Sequence, residues 1–142
     1  MTGVQTCALP ILACGLLPMS QTSIRFHGHI GYHDYEGPAI DLAEREALVR
    51  DLGPHDAMIM RNHGLLTVGQ TAREAFVLMK SLIEAAEIQL KMEATSSDLI
   101  EIPAEICEKT AHQYEHHDSG RGSADWPAYL RMLDAIDLQW RN

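Results

Sequence analysis

Residues 57–74 restrict the architecture more than any other stretch of the chain. Residues 57–60 and 65–68 are short apolar runs, each the length of a buried strand. Asn62-His63-Gly64 between them is a turn signal. Directly afterwards Thr71 and Glu74 stand in the S/T-x-x-E spacing of a capping box, which satisfies the free N–H groups at a helix start. The helix so opened is expected to run to about Glu93, with Phe76, Met79, Ile83, Ala86 and Leu90 as one core-facing stripe at helical spacing. Strand, turn, strand and long helix point to the α/β class, a sheet covered by helices.

The flanking segments extend this pattern. Residues 12–15 read as a helix end stopped by Gly15. Residues 19–26 and 30–35 carry short apolar and aromatic patches that read as strands, and Gly37-Pro38 marks a turn. Asp41 and Glu44 have capping-box spacing, and Leu42, Leu48, Val49 and Leu52 then give a helical apolar face ended by Gly53-Pro54. Beyond the long helix, Pro103 opens a further helix to about His116. Residues 118–124 (DSGRGSA) form a polar linker, and a last helix runs from about Trp126 to Leu138, with Trp126, Leu130, Leu133 and Ile136 on one side.

Charge and cysteine usage narrow the function classes. The 142-residue chain has a formal net charge of −9. That argues against binding nucleic acid or an anionic membrane, both of which reward clustered Lys and Arg. No apolar run is long enough to span a bilayer. Residues 8–17 are apolar, but the first basic residue is Arg25, so a secretory leader is not expected. Cys7, Cys14 and Cys107 are odd in number and lack CxxC spacing. They read as buried or free thiols of a reducing, cytoplasmic compartment, not as a disulfide frame.

Histidines are the candidate chemical groups. His63 sits at a strand end before a glycine, held by backbone on one side and free to face a cleft on the other. A neutral imidazole there is a good zinc ligand. His27-Gly28-His29 would place two imidazoles on one face if that segment were a strand, with His33 and Asp34 nearby. The bland reading of these is a solvated connecting stretch. His112, Glu115 and His116 match the H-x-x-E-H signature of inverted zinc peptidases, with the histidines on one helix face. No third acidic ligand is evident, and the favoured reading is a polar helix end, where histidines near the C-terminus suit the dipole.

Residues 1–11 (MTGVQTCALPI) resemble the translation of a sequencing-library adapter. They are expected to be non-native and are set aside from the fold reasoning. The accompanying expectation is that an N-terminal part of the gene was lost, which an upstream reading frame continuing into Leu12 would support.

Residues 15–21 (GLLPMSQ), 32–37 (YHDYEG), 43–53 (AEREALVRDLG) and 61–69 (RNHGLLTVG) resemble, in that order, the class II aldolase/adducin family. The segment TAREAFVLMKSLIEAAEIQL resembles the long helix that follows the NHGLL turn there, and WPAYLRMLDAID the tail of a bacterial adducin-like branch. The resemblance covers nearly all of residues 12–142. It implies a three-layer αβα fold on a central antiparallel sheet with its N-terminal part missing, usually a tetramer. The partial family domain is expected over residues 12–117, with a linker and terminal helix over 118–142. It further implies a divalent metal, commonly zinc, held by an HxH pair and a third histidine in the NHG turn. That third position is His63. The HxH pair would fall where residues 1–11 now stand, and the catalytic and substrate-binding residues further upstream, so none is assigned here. The interface tyrosine of sugar-phosphate aldolases would fall near Gln21 and Thr22, where no Tyr stands.

The implied parent chemistry is retro-aldol cleavage of a small sugar, phosphorylated or not, or of a related hydroxy-carbonyl compound. There the metal acts as a Lewis acid that stabilises an enediolate. Catalytic zinc needs about three protein ligands, so a chain offering His63 alone is expected to bind zinc weakly and be inactive by itself. The alternative, implied by the adducin branch, is a non-enzymatic scaffold that binds actin and spectrin.

Overall fold

The hydroxyl of Thr71, on extended backbone, accepts from the Glu74 N–H at 3.2 Å, and the Glu74 carboxylate accepts from the Gln70 N–H at 2.9 Å. This cap opens α3, Ala72–Glu93, in the computed structural model of the chain, which describes residues 8–37, 42–117 and 124–136. The other elements are α1 (Gln21–Ile24), β1 (Gly31–His33), α2 (Leu42–Leu52), β2 (Ala57–Met60), β3 (Gly64–Thr67), α4 (Ala104–His117) and α5 (Trp126–Ile136).

β2 is the central strand, and all four of its residues are buried. Successive side chains of a strand point to opposite faces, so both faces must be covered. Ala57 and Ile59 join Leu65 and the α3 residues Leu78, Leu82 and Ala86 in the main core. On the other face Met60 and Leu66 share a cavity with Glu44 and Leu48 of α2. The result is the expected three-layer α/β arrangement, helix on sheet on helix.

The sheet itself is mixed. β2 and β3 pair antiparallel through the Asn62-His63 turn, with Met60 opposite Gly64. β1 pairs parallel with β2, Gly31 opposite Met58 and His33 opposite Met60. This corrects the antiparallel sheet implied by the family resemblance. A parallel neighbour requires a crossover connection, and α2 supplies it between β1 and β2.

Residues 19–26 do not form the strand expected of them. Ser20 is an N-cap: its Oγ accepts from the Ser23 N–H at 3.2 Å while the Ser23 hydroxyl accepts from the Ser20 N–H at 2.9 Å. The one-turn helix α1 follows. Residues 12–15 likewise do not end a helix. A single 3₁₀ turn, Leu9–Ile11, precedes them, and Gly15 turns the chain at φ +66°. A Cβ at Gly15 would lie 2.6 Å from the Tyr32 ring, so only glycine passes this point without displacement.

Of the expected α3 stripe, Ala86 is buried in the core and Met79, Ile83 and Leu90 pack against it, whereas Phe76 is 45% exposed; Val77, Leu78, Leu82, Ala85 and Gln89 complete the buried face. Phe76 instead meets Trp126 and Tyr129 of α5 edge to face, with centroids 5.7 and 5.2 Å apart. α5 buries none of its residues. In α2, Val49 is 71% exposed and Ala47 and Glu44 face inward in its place. Asp41, read as the cap of that helix, lies outside the described residues, as do residues 118–123 of the linker.

Two further placements matter for the site. Leu9 is fully buried in the core and Pro10 is buried beside it, although both fall in the segment set aside as adapter-like. Gln89, also fully buried, accepts from the Leu17 N–H at 2.8 Å and donates to the Gly15 carbonyl at 2.9 Å, fastening the Gly15–Leu17 loop to α3. Among the described residues Cys14 and Cys107 carry free thiols, the latter buried.

Candidate functional site

The turn after β2 is built to hold its histidine outward. Asn62 adopts the left-handed conformation at φ 55°, the only non-glycine among the described residues to do so. Asparagine tolerates that region better than most side chains. The Asn62 N–H donates to the Pro10 carbonyl at 3.0 Å, and the His63 N–H closes the turn on the Met60 carbonyl at 3.1 Å. The half-buried His63 lines a cavity of about 230 Å³ together with His33, Glu44, Leu48, Met60 and Arg61.

Four elements reach this cavity. β1 brings His33, α2 brings Glu44 and Leu48, the end of β2 with its turn brings Met60, Arg61 and His63, and β3 brings Leu66. The Arg61 N–H donates to the His33 carbonyl at 2.8 Å, which extends the β1–β2 pairing and sets the two histidine segments side by side. The Arg61 guanidinium is compensated: its Nε lies 3.3 Å from the Asp34 carboxylate and its plane is 5.1 Å from the Tyr32 ring centre. Arg61 therefore frames the cavity mouth more than it charges it.

His33 is only 4% exposed, and its Nδ1 lies 2.8 Å from Asp51 Oδ2. The hydrogen bond from His33, then that from Arg50, holds the Asp51 carboxyl below its usual range. The other ring nitrogen of His33, Nε2, is buried without a hydrogen-bond partner among the described residues. Glu44 is buried as well, at 9% exposure.

The remaining histidines lie elsewhere. His27 and His29 flank Gly28, which is at φ +72° in a turn after α1, so they do not alternate along a strand. His29 lies 3.7 Å from Glu115 of α4. His112 and His116 stack at 3.9 Å on α4, and the His116 ring bonds the His112 carbonyl at 2.9 Å. A larger cavity of about 340 Å³ lies between the turn that follows α1 and α4, lined by Arg25, His29, Asp56, Tyr114 and Glu115. Its charged groups are largely occupied with one another, Arg25 over the Tyr114 ring and His29 against Glu115. His63 does not line it.

Of the residues singled out in the sequence, the structure thus brings His63 and His33 to one cavity and leaves His27, His29, His112 and His116 outside it. Glu44 and Asp51 were not anticipated as part of the site. Glu44 read as a helix-cap partner, and Asp51 carries no motif. Their helical offsets from Leu48, four and three residues, were the available signal. Among the described residues no group of three His, Cys, Asp or Glu side chains could hold a metal ion.

Comparison with known proteins places the chain. Residues 3–90, more than half of it, match the model of the class II aldolase and adducin N-terminal domain. A Pseudomonas aeruginosa protein, provisionally named an aldolase class 2 protein, is 37% identical over 131 residues, covering 89% of this chain and 51% of that one. Rat alpha-adducin is 39% identical over 142 residues, covering 91% of this chain and 19% of its own length. The crystal structure of an aldolase II superfamily protein from Pseudomonas syringae superposes with a TM-score of 0.87 at 40% identity, covering 95% of this chain and 55% of that one. L-fuculose 1-phosphate aldolase from Glaciozyma antarctica shares the fold, with a TM-score of 0.72 at 24% identity over 91% of this chain and 47% of that one. The chain spans about half the length of the bacterial relatives it matches.

Proposed function

Because the chain belongs to the class II aldolase and adducin family, we propose that it contributes the His63 cavity of an aldolase-type protein acting on a small hydroxy-carbonyl compound. The observation that carries this reading is the NHG turn itself. Asn62 is held at positive φ and bonded to Pro10, so that the half-buried His63 ring faces a cavity of about 230 Å³. Such a cavity, mostly apolar with a few converging polar groups, suits a small molecule.

The metal that family members generally use would meet this chain at His63. One imidazole does not make a site, since a catalytic zinc takes about three protein ligands, and no three donors converge among the described residues. The chain's own groups can orient a ligand: His63 and His33 offer ring nitrogens, and Glu44 a buried carboxyl. Turnover is assigned to the intact parent protein, read as a cytoplasmic homo-oligomer with zinc as the favoured ion. No described helix is long and apolar enough to cross a membrane.

The test is saturation-transfer NMR of dihydroxyacetone phosphate on the chain. Transfer that disappears in His63→Ala supports the reading, and equal transfer in both proteins sinks it. A second reading, an adducin-like scaffold, is favoured by the 39% identity to alpha-adducin. Co-sedimentation with filamentous actin, unaffected by His63→Ala, would support that alternative.

A further inference from the structure

The geometry points to His33, fixed by Asp51, as the second ligand-binding imidazole of the His63 cavity, its Nε2 accepting a hydrogen bond from a hydroxyl of a small polyhydroxylated molecule. The inference rests on the reading of that cavity as a ligand site.

Three observations carry it. The first is the tautomer. Asp51 is a carboxylate that can only accept, so the proton of the 2.8 Å contact sits on His33 Nδ1. In the neutral ring Nε2 is then a bare lone pair. A carboxylate behind one ring nitrogen also fixes the orientation of the other, as it does for histidines that serve metals and substrates.

The second is the missing partner. His33 Nε2 is buried and finds no hydrogen-bond partner among the described residues. Buried polar atoms are almost always paired, and an exception calls for a physical reason. A histidine kept only for packing would be better replaced by an apolar ring, which would leave no acceptor unmatched.

The third is location. His33 lines the cavity that His63 lines, on a strand bonded directly to the turn that carries His63. The residue that carries the acceptor and the independently recognised histidine thus line one cavity. The complement to an acceptor is a donor. A bare cation is disfavoured because, among the described residues, no group of three His, Cys, Asp or Glu side chains is placed to hold one. A neutral hydroxyl is favoured because the cavity's one arginine is already compensated by Asp34. A ligand with a second polar oxygen can reach His63 at the same time.

The experiment uses the full chain labelled with ¹⁵N, with dihydroxyacetone as the probe. Long-range ¹H–¹⁵N spectra read each ring nitrogen in the unmutated protein. The expected result is a titrating shift of His33 Nε2 that follows the same binding curve as the His63 ring. His33→Asn retains an amide that can donate to Asp51 but no acceptor at the Nε2 position. It is expected to weaken dihydroxyacetone binding at least tenfold with an unchanged unfolding midpoint. A His63 response with a silent His33, or undiminished binding by a folded His33→Asn, overturns the proposal and leaves the aldolase-type reading standing. Silence of both rings overturns both. The spectra of the unmutated protein decide the matter even if the variant does not fold.

Discussion

The backbone N–H of Asn62 donates to the carbonyl of Pro10 at 3.0 Å, tying the turn that carries His63 to a segment more than fifty residues earlier. Asn62 is also at φ 55°, where a β-branched residue is penalised by about 1–2 kcal/mol. Asn62→Val is therefore expected to destabilise the chain by about that amount, and Asn62→Gly to leave it nearly unchanged. Urea unfolding of the two variants measures the difference, and equal midpoints would contradict the account.

Gln89 performs a comparable service for the Gly15–Leu17 loop. Gln89→Leu removes the acceptor for the Leu17 N–H and the donor for the Gly15 carbonyl at once. Leaving two backbone groups unmatched should cost about 2–4 kcal/mol. The urea midpoint should fall with the slope unchanged. A variant as stable as the parent would show that water replaces the amide.

Asp51 sets an acid limit on stability. Its folded-state pKa is lowered, first by the hydrogen bond from His33 and then by that from Arg50, from an ordinary value of 3.8. The stabilisation is thus complete well above pH 3.8 and is lost as pH falls through the depressed folded value. Asp51→Asn should flatten this acid limb of thermal stability below about pH 4. An identical pH profile in the variant would refute the linkage.

Phe76 packs α5 against α3. The α5 helix buries no residue and meets α3 through two edge-to-face aromatic pairs, Phe76 with Trp126 and with Tyr129. Each such pair is worth about 0.5–1.5 kcal/mol. Phe76→Ala is expected to abolish hydrogen-exchange protection across α5 while protection in β2 and α3 persists. Uniform loss throughout the chain would mean that α5 is coupled to the core by other means.

How much of this was legible follows from how local each signal is. β2, its turn, β3 and the start of α3 could be read directly, because the Thr71 cap and the Asn62-His63-Gly64 turn act within a few residues. Residues 19–26 were misread because Ser20 and Ser23 cap each other over a single helical turn, too short for any apolar period to show. The direction of β1 was hidden because it depends on where α2 carries the chain. Phe76 joined the expected stripe by spacing alone, yet its partner is α5, a helix fifty residues away. Within the site, His63 was announced by its turn. The pairing of His33 with Asp51 spans eighteen residues and has no local signature.

The order β1-β2-β3 leaves the outer backbone groups of β1 and β3 without a ladder partner among the described residues. Such rims are templates onto which an extended peptide can add as a further strand. With three residues in β1 and four in β3, each rim offers only a few rungs, so a captured peptide would exchange readily unless side chains also anchored it. Crowded solutions of the chain should accordingly show a concentration-dependent, reversible intermolecular amide I band, growing in from the margins of the sheet rather than from its helical faces.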